Sequence, residues 1–302
     1  MSTETTRRPD QTEQQDPKTQ APTPPFPQQQ QEPPGTEKQL TPTADHGQES
    51  YRGSARLTDK VALITGGDSG IGRAVAIAFA REGADVVISY LNEDEDAAET
   101  ERWVTDAGRR ALSVPGDIGE EEHCRRLVER TVEEFGRLDI LVNNAAWQDS
   151  GDTIAEMTGE EWRRILRTNL DAMFYLSRAA MEHLPEGGTI INVTSIQAYD
   201  PSPNLLPYAT TKGGILTFTK ALAKEAIEKG VRVNGVAPGP IWTPLIPSTM
   251  PPEKAEKFGE DTPTGRAGQP AELAPVFVFL ASQESSYITG EVIGVTGGEP
   301  LG

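Results

Sequence analysis

A tyrosine and a lysine four positions apart, Tyr208 and Lys212, are the side chains of this sequence best suited to proton transfer. Positions i and i+4 of a helix share one face, so a phenol and an ammonium group can reach the same ligand. A free phenol has a pKa of about 10, and a neighbouring cation lowers it by stabilising the phenolate. The pair predicts an acid/base site in which Lys212 assists Tyr208, although an exposed helix face can carry the same two residues.

Two more polar residues could join this pair. Ser195 ends an apolar strand-like run thirteen residues before Tyr208, and Asn169 lies in a helix-like stretch. Taken singly, such a serine often caps the next segment and such an asparagine often bonds the helix backbone. Their assignment to a site therefore depends on the wider pattern of the chain.

A glycine-rich run, Thr65 to Gly72, joins an apolar strand-like segment to a helix-like segment. Glycines allow the backbone to approach a pyrophosphate, and the helix N-terminus supplies amide donors and a favourable dipole. Any tight turn between strand and helix can use glycine, but the position of this run after the first buried strand favours dinucleotide binding.

These residues must be positioned by alternating strands and helices. The strand candidates are Val61 to Thr65, Val86 to Tyr90, Ala111 to Val114, Ile140 to Asn143, Thr189 to Val193, Val231 to Val236 and Val292 to Val295. The helix candidates are Ile71 to Arg81, Glu95 to Ala107, Glu120 to Phe135, Glu160 to His183, Tyr208 to Lys229 and Ala271 to Ala281. This alternation predicts a single-domain, doubly wound Rossmann-like α/β fold with a seven-stranded parallel sheet covered by helices on both faces.

Two other segments stand apart from the alternation. Residues 1–50 are rich in Gln, Pro and Thr and are expected to be a disordered extension, because they can bury little apolar surface. Residues 51–302 are then the dinucleotide-binding domain. The stretch from Pro238 to Gly268 is long for a connection and predicts a lid over a site.

Composition excludes several classes of function. The net charge of −18 argues against nucleic acid or an anionic membrane as a partner. One cysteine, Cys124, forbids an internal disulfide, and three widely spaced histidines predict no metal site. No apolar run has membrane-spanning length and no signal peptide is evident, so we expect a cytoplasmic protein.

The order of the motifs resembles the short-chain dehydrogenase/reductase family over about Lys60 to Gly298. The turn at Thr65 to Gly72 has the spacing TGxxxGIG, Asp117 follows the third strand, Asn143-Asn144-Ala145 follows the fourth, and Pro238-Gly239 follows the sixth. The resemblance implies an oxidoreductase that moves a hydride between a nicotinamide dinucleotide and a carbonyl or alcohol.

The resemblance further implies a catalytic tetrad of Asn169, Ser195, Tyr208 and Lys212. Tyr208 would protonate the carbonyl oxygen in the reduction direction and Ser195 would hydrogen-bond it, while Asn169 would hold a water that links Lys212 to solvent. The implied cofactor-binding residues are Gly66, Asp68, Ser69, Gly70, Ile71, Gly72, Tyr90, Asp117, Ile118, Asn143, Ala145, Pro238, Gly239, Ile241 and Thr243, together with Tyr208 and Lys212.

Cofactor choice depends on the end of the second strand. The family's acidic NAD marker is replaced by Tyr90, Ser69 stands where some NADP-preferring relatives carry a basic residue, and acids fill Glu93 to Asp96. Like-charge repulsion should disfavour the extra phosphate of NADP, so NAD is expected. A solvated helix start would show the same acids.

The glycine turn, the run from Pro238 to Pro247 and the polar extension resemble a bacterial subgroup described as general-stress or glucose/ribitol-dehydrogenase-like. Small aldehydes, sugars or polyols are the expected substrates. A 3-oxoacyl thioester remains an alternative, as does a sensor or scaffold that binds the dinucleotide without catalysis. The resemblance implies a homotetramer.

Overall fold

The fold is described from a computed structural model, in which residues 11–151 and 153–302 are described. Within them seven parallel strands form one sheet in the order β3-β2-β1-β4-β5-β6-β7. The strands are β1 Val61–Thr65, β2 Asp85–Tyr90, β3 Ala111–Pro115, β4 Ile140–Asn143, β5 Thr189–Val193, β6 Arg232–Pro238 and β7 Val292–Val295. The predicted fold class is confirmed.

The α-helices alternate with these strands. They are α1 Gly70–Arg81, α2 Asp94–Asp106, α3 Glu121–Phe135, α4 Gly159–Leu166, α5 Ala172–Ala180, α6 Leu206–Ala226, α7 Leu245–Thr249, α8 Pro252–Glu256 and α9 Pro270–Ala281. The helix expected from Glu160 to His183 is interrupted by a π-helical turn, Arg167–Asp171. Such turns are rare and frequently occur at functional sites.

The sheet is buried on both faces. In β1, Val61 and Leu63 belong to one apolar cluster, with α3, α5 and α6, while Ala62 and Ile64 belong to the other, with α1 and α9. Successive strand residues point to opposite faces, so an all-apolar strand must be covered twice. This packing places the carboxyl ends of β1 and β4 side by side, where the strand order reverses and open α/β sheets bind ligands.

Part of the N-terminal extension packs against this domain. We call residues 26–47 the strap. Its residues Phe26, Leu40 and Ala44 are buried with Trp242 and Ile246, and the Phe26 and Trp242 ring centroids lie 4.4 Å apart.

The strap differs from the sequence-based expectation of disorder through residue 50, whereas the expectation for residues 1–10 lies outside the described residues. The physical reason is that the few apolar side chains of the strap, such as Phe26 and Leu40, are buried against Trp242, which is distant in sequence. Composition alone does not reveal such a partner.

The stretch between β6 and α9 contains α7 and α8. It is tied to the strap, because the backbone amide of Gln31 donates to the Pro247 carbonyl at 2.9 Å and the indole of Trp242 donates to the Pro42 carbonyl at 2.7 Å. In the part of the chain that the structure describes, no helix is both long enough and apolar enough to span a membrane.

Candidate active site

A cavity of about 320 Å³ lies beside the carboxyl ends of the central strands. The predicted site residues that line it are Gly66, Asp68, Ser69, Gly70, Ile71, Tyr90, Asp117, Ile118, Ala145, Ser195, Tyr208, Lys212, Pro238, Gly239, Ile241 and Thr243. The structure therefore brings together residues from seven separate segments of the sequence.

The glycine-rich turn has a geometry that larger residues would disrupt. Gly66 and Gly70 have φ values of +59° and +50°, a region that L side chains rarely adopt. A Cβ atom on Gly72 would lie 1.9 Å from the Gly66 carbonyl oxygen, so glycine there allows α1 to pack closely against the turn. Gly72 does not line the cavity itself, but its small size allows the close packing of α1 that positions the turn.

Tyr208 and Ser195 meet in the cavity. Ser195 follows β5 and begins a 3₁₀ turn, with its Oγ accepting the Gln197 amide at 3.2 Å. Tyr208 lies in the first turn of α6 and lines the same cavity as Ser195. Burial raises the pKa of Tyr208 to about 12, against a smaller opposing effect of the nearby Ser195 hydroxyl. The phenol is therefore a proton donor throughout the neutral range.

Lys212 is buried one helical turn after Tyr208. Its Nζ donates to the Val193 carbonyl at 2.8 Å and lies 5.2 Å from the centre of the Tyr208 ring. Burial lowers the pKa of Lys212 to about 7. Desolvation of a charge bonded to a neutral carbonyl explains this direction.

Burial is thus the largest effect on the pKa of Tyr208, and it opposes the lowering that the charge of Lys212 was expected to produce. The sequence-based expectation considered the charge of Lys212 and not the desolvation of both groups.

Asn169 lies in the π-helical turn and is 3% exposed. Its Oδ1 accepts the Trp147 amide at 2.7 Å, while its Nδ2 donates to the Trp147 carbonyl at 2.8 Å and to the Thr211 hydroxyl at 3.0 Å. The side chain therefore connects the loop after β4 to α6.

Asn143 and Asn169 line a second cavity of about 10 Å³, close to the size of one water. Asn143 Nδ2 donates to Asn192 Oδ1 at 2.9 Å, and its own buried Oδ1 has no described protein partner. The two asparagines thus lie behind the main cavity, separate from the residues that face it.

The end of β2 is acidic where it borders the main cavity. Burial raises the pKa of Asp68 to about 7, and the nearby Glu93 carboxylate adds to the effect. Tyr90 donates to the Asp94 carboxylate at 2.7 Å. Among the described residues, Glu93 Oε1 and Ser89 Oγ are buried polar atoms without a hydrogen-bond partner, so this corner of the cavity offers polar atoms to a ligand.

Sequence reasoning missed several residues of the site. Pro34 and Gly35 of the strap line the cavity, as do Trp147 and Gln148. Asn144, the middle residue of a motif that the sequence did show, donates from Nδ2 to the Thr65 carbonyl at 2.9 Å. Asn144 could have been found from that motif, whereas no local pattern identifies Pro34 or Gly35.

Comparison with known proteins supports an oxidoreductase. A family model described as enoyl-(acyl carrier protein) reductase matches residues 66–299. General stress protein 39 of Bacillus subtilis is 51% identical over 90% of this chain and 95% of its own length. NADPH-dependent aldehyde reductase 1, chloroplastic, of Arabidopsis thaliana is 47% identical over 90% of this chain and 96% of its own. Glucose and ribitol dehydrogenase of Daucus carota is 45% identical over 90% and 96%.

Solved structures give the same result. A short-chain dehydrogenase from Burkholderia cenocepacia in complex with NADP has a TM-score of 0.75 at 33% identity, covering 80% of this chain and 98% of that one. A 3-ketoacyl-(acyl-carrier-protein) reductase from Brucella melitensis with NADH has a TM-score of 0.73 at 36% identity, with the same coverage. Each of these solved chains is covered almost completely, so the similarity extends over nearly the whole of its fold.

Proposed function

Because this chain belongs to the short-chain dehydrogenase/reductase family and is an oxidoreductase of that type, we propose that it interconverts a small aldehyde, sugar or polyol with its redox partner at the cavity of Tyr208. The single observation that carries the proposal is the meeting of Tyr208, Ser195 and Lys212 at one cavity wall beside the glycine-rich turn. A bound nicotinamide dinucleotide supplies or accepts the hydride.

Tyr208 is the proton donor in carbonyl reduction. Its raised pKa keeps the phenol protonated at neutral pH, and the substrate oxygen becomes a strong base as it gains negative charge. Ser195 donates a hydrogen bond to the same oxygen and so stabilises that charge. In alcohol oxidation the reverse step starts from the Tyr208 phenolate, which accepts the proton of the substrate hydroxyl, so oxidation is favoured as the pH rises.

Lys212 assists Tyr208 and binds ribose hydroxyls of the dinucleotide. Its Nζ has donors to spare beyond the bond to Val193, and it lines the cavity. Asn169 connects the loop after β4 to α6, and both hydrogens of its side-chain amide are donated to protein atoms. The water that the family resemblance assigns to Asn169 would therefore lie in the small second cavity and would not accept a hydrogen bond from this amide.

The cavity suits a dinucleotide. The turn from Gly66 to Gly72 admits a pyrophosphate next to the α1 N-terminus. By resemblance to the family, Asp117 and Ile118 would border the adenine, Asn143 would lie near the adenosine ribose, and Ile241 with Thr243 would lie near the nicotinamide; all of these except Asn143 line the main cavity.

NAD is the preferred cofactor. Near the end of β2 the cavity is lined by Tyr90 and Glu93, with Asp68 contributed by the turn after β1, whereas the described arginines and lysine of the lining, Arg164, Arg167 and Lys212, belong to other segments. Above about pH 7, where Asp68 is ionised, two carboxylates would repel a phosphate on the adenosine ribose, whereas they can accept bonds from its hydroxyls. Relatives are described with NADP, NADPH and NADH, so kcat/KM with both cofactors tests this preference directly.

The compartment is the cytoplasm and the assembly a homotetramer. Val276 and Phe279 on α9 and Ile293 on β7 are apolar and only partly buried, and Phe174 on α5 is 45% exposed. Exposed apolar surface of this kind is often buried at subunit interfaces. Molecular mass in solution tests the assembly, and a monomer at micromolar concentration would contradict it.

The decisive experiment is turnover of a panel of aldehydes, sugars, polyols and a 3-oxoacyl thioester with Tyr208→Phe beside Tyr287→Phe, an exposed control. We expect the site variant to lose at least about 100-fold in kcat while it keeps dinucleotide binding, and the control to match wild type. Near-normal turnover of Tyr208→Phe overturns the assignment. Preference for the thioester would instead favour a 3-oxoacyl reductase, and binding without any turnover would favour a sensor.

A further inference from the structure

The strap reaches the cavity. Pro34 and Gly35 form part of its wall, and the Ser248 hydroxyl donates to the Pro34 carbonyl at 3.2 Å. A Cβ atom on Gly35, which has φ +83°, would lie 2.7 Å from the Pro244 carbonyl oxygen. Close approach of the two backbones therefore requires glycine at this position.

Two residues further along, Glu37 contacts the glycine-rich turn. Its Oε1 accepts the backbone amide of Gly70 at 2.7 Å. Gly70 is the first residue of α1, and the N-cap residue Ser69 makes no side-chain cap bond among the described residues. A side chain from outside the domain thus caps the helix whose N-terminus borders the cavity.

Glu37 is held by a buried group of polar side chains. His46 Nε2 lies 2.8 Å from Glu37 Oε1, and the Glu37 amide donates to Asp96 Oδ2 at 2.9 Å. Burial alone would raise the pKa of Glu37, but contact with His46 and the nearby Arg73 hold it below its usual value, so the carboxylate is ionised.

The same group extends to the turn itself. Arg73 donates from Nη2 to Asp96 Oδ1 at 3.2 Å and from Nε to the Asp68 carbonyl at 2.8 Å. The turn is therefore supported at Gly70 by Glu37 and at Asp68 by Arg73. The described cavity-lining residues include Pro34 and Gly35 and not Glu37, so Glu37 acts on a ligand through the turn.

We infer that Glu37 is a positioning residue of the dinucleotide site, which the strap carries to the back of the glycine-rich turn to hold the Gly70 backbone in its binding conformation. The inference rests on the proposed function only in that the cavity binds a dinucleotide. A preorganised turn binds with less loss of conformational entropy, so the residue affects affinity more than the chemical step.

The test uses the full-length protein and measures NAD and NADH binding by fluorescence titration, together with thermal unfolding and hydrogen exchange of the Gly70 amide. Glu37→Ala removes the acceptor and the charge, while Glu37→Gln keeps an acceptor oxygen and removes the charge. Lys38→Ala is the matched control, because Lys38 is the exposed neighbour, with 79% of its side chain accessible.

We expect Glu37→Ala to raise the Kd for the dinucleotide about tenfold, the size of one lost hydrogen bond, and to speed exchange at Gly70. Its kcat at saturating cofactor should stay within about twofold of wild type, and Glu37→Gln and Lys38→Ala should bind like wild type. A lower melting temperature with unchanged Kd would overturn the inference in favour of a purely structural role. Tighter binding by both Glu37 variants would overturn it by showing that the carboxylate competes with phosphate.

Failure of the proposed function has a different signature. Wild-type protein would then bind neither dinucleotide, or would bind one without turnover, whereas failure of the positioning role leaves wild-type binding and turnover intact and removes only the difference between Glu37→Ala and Lys38→Ala.

Discussion

The Lys212 ammonium group lies 5.2 Å from the centre of the Tyr208 ring, and its hydrogen bond at 2.8 Å goes to a neutral backbone carbonyl, that of Val193. Both side chains are ionisable and both lie at the cavity, yet burial shifts their pKa values in opposite directions, Tyr208 to about 12 and Lys212 to about 7. Each group therefore favours its neutral form more than it would in water.

The first prediction concerns pH. Since the folded pKa of Lys212 is about 7, the ammonium form is present below that pH and is lost as the pH rises through it. Capture of the dinucleotide should weaken in the same range, because a neutral amine attracts its ribose and phosphates less. We expect kcat/KM for the dinucleotide, which reports the free enzyme, to fall above about pH 7.

The control for this prediction is Lys212→Arg. A guanidinium group stays charged throughout the range, so the variant should lose the fall above neutral pH even if its absolute kcat/KM is lower. A wild-type profile that stays flat to about pH 9 would show that Lys212 keeps its charge in solution.

The second prediction concerns Asn169. Its side chain makes three hydrogen bonds, two with the Trp147 backbone and one with Thr211. Asn169→Ala leaves buried backbone groups unpaired, which costs about 1–3 kcal/mol for each group, so we expect a lower melting temperature together with a lower kcat. Asn92→Ala, at an exposed position, is the control. Loss of kcat with an unchanged melting temperature would contradict the connecting role and favour a direct part in proton transfer.

The sequence was sufficient to predict most of the elements that meet at the cavity, because their features are set by local residue patterns. Buried parallel strands are apolar throughout, as Val61–Thr65 is, and the turn after them requires glycine because Gly66 and Gly70 adopt positive φ values. The i, i+4 spacing of Tyr208 and Lys212 fixes their shared helix face. These features are local, so a pattern in one chain reveals them.

What the sequence could not show depends on distant contacts. The π-helical turn at Arg167–Asp171 is invisible to helical periodicity, and Glu37 caps α1 from 33 residues away. The raised pKa of Asp68 also depends on folding, because it is caused by burial of the carboxyl group and by the nearby Glu93 carboxylate. Packing determines all three features, and composition does not report it.

The third prediction follows from Asp68. Its folded pKa of about 7 lies well above the usual value for an aspartate, about 3.9, so the folded state resists ionisation of Asp68. Protonated Asp68 contributes fully to the free energy of unfolding below its unfolded pKa, and this contribution is lost as the pH rises from about 4 to about 7. Asp68→Asn should therefore raise the melting temperature at pH 8 more than at pH 4, by the equivalent of a few kcal/mol.

The same variant tests cofactor choice. With one carboxylate neutralised, kcat/KM with NADP should rise relative to NAD. The matched control is Asp106→Asn, an acid at the end of α2 with an accessible side chain that pairs with Arg102. Equal melting temperatures of wild type and Asp68→Asn at all pH values would show that Asp68 is ionised without cost in the folded protein.

The fourth prediction concerns the attachment of the strap. Phe26 is 4% exposed and stacks against Trp242, which is itself fully buried and donates its indole hydrogen to the Pro42 carbonyl. Phe26→Ala should cost about 3–5 kcal/mol, because it removes a large buried side chain and leaves a cavity. Unfolding in denaturant, with fluorescence emission as a second readout of Trp242 exposure, measures both effects.

A double-mutant cycle separates strap attachment from general loss of packing. The pair Phe26→Ala and Trp242→Leu should show a coupling energy of about 0.5–1.5 kcal/mol, as expected for two aromatic rings in contact, whereas Phe26→Ala with the exposed Tyr287→Ala should show additivity. If Phe26→Ala changes neither the free energy of unfolding nor the fluorescence, the strap is not attached in solution. Glu37 would then have no fixed position behind the glycine-rich turn, because the contacts of Phe26, Leu40 and Trp242 are what hold the strap against the domain.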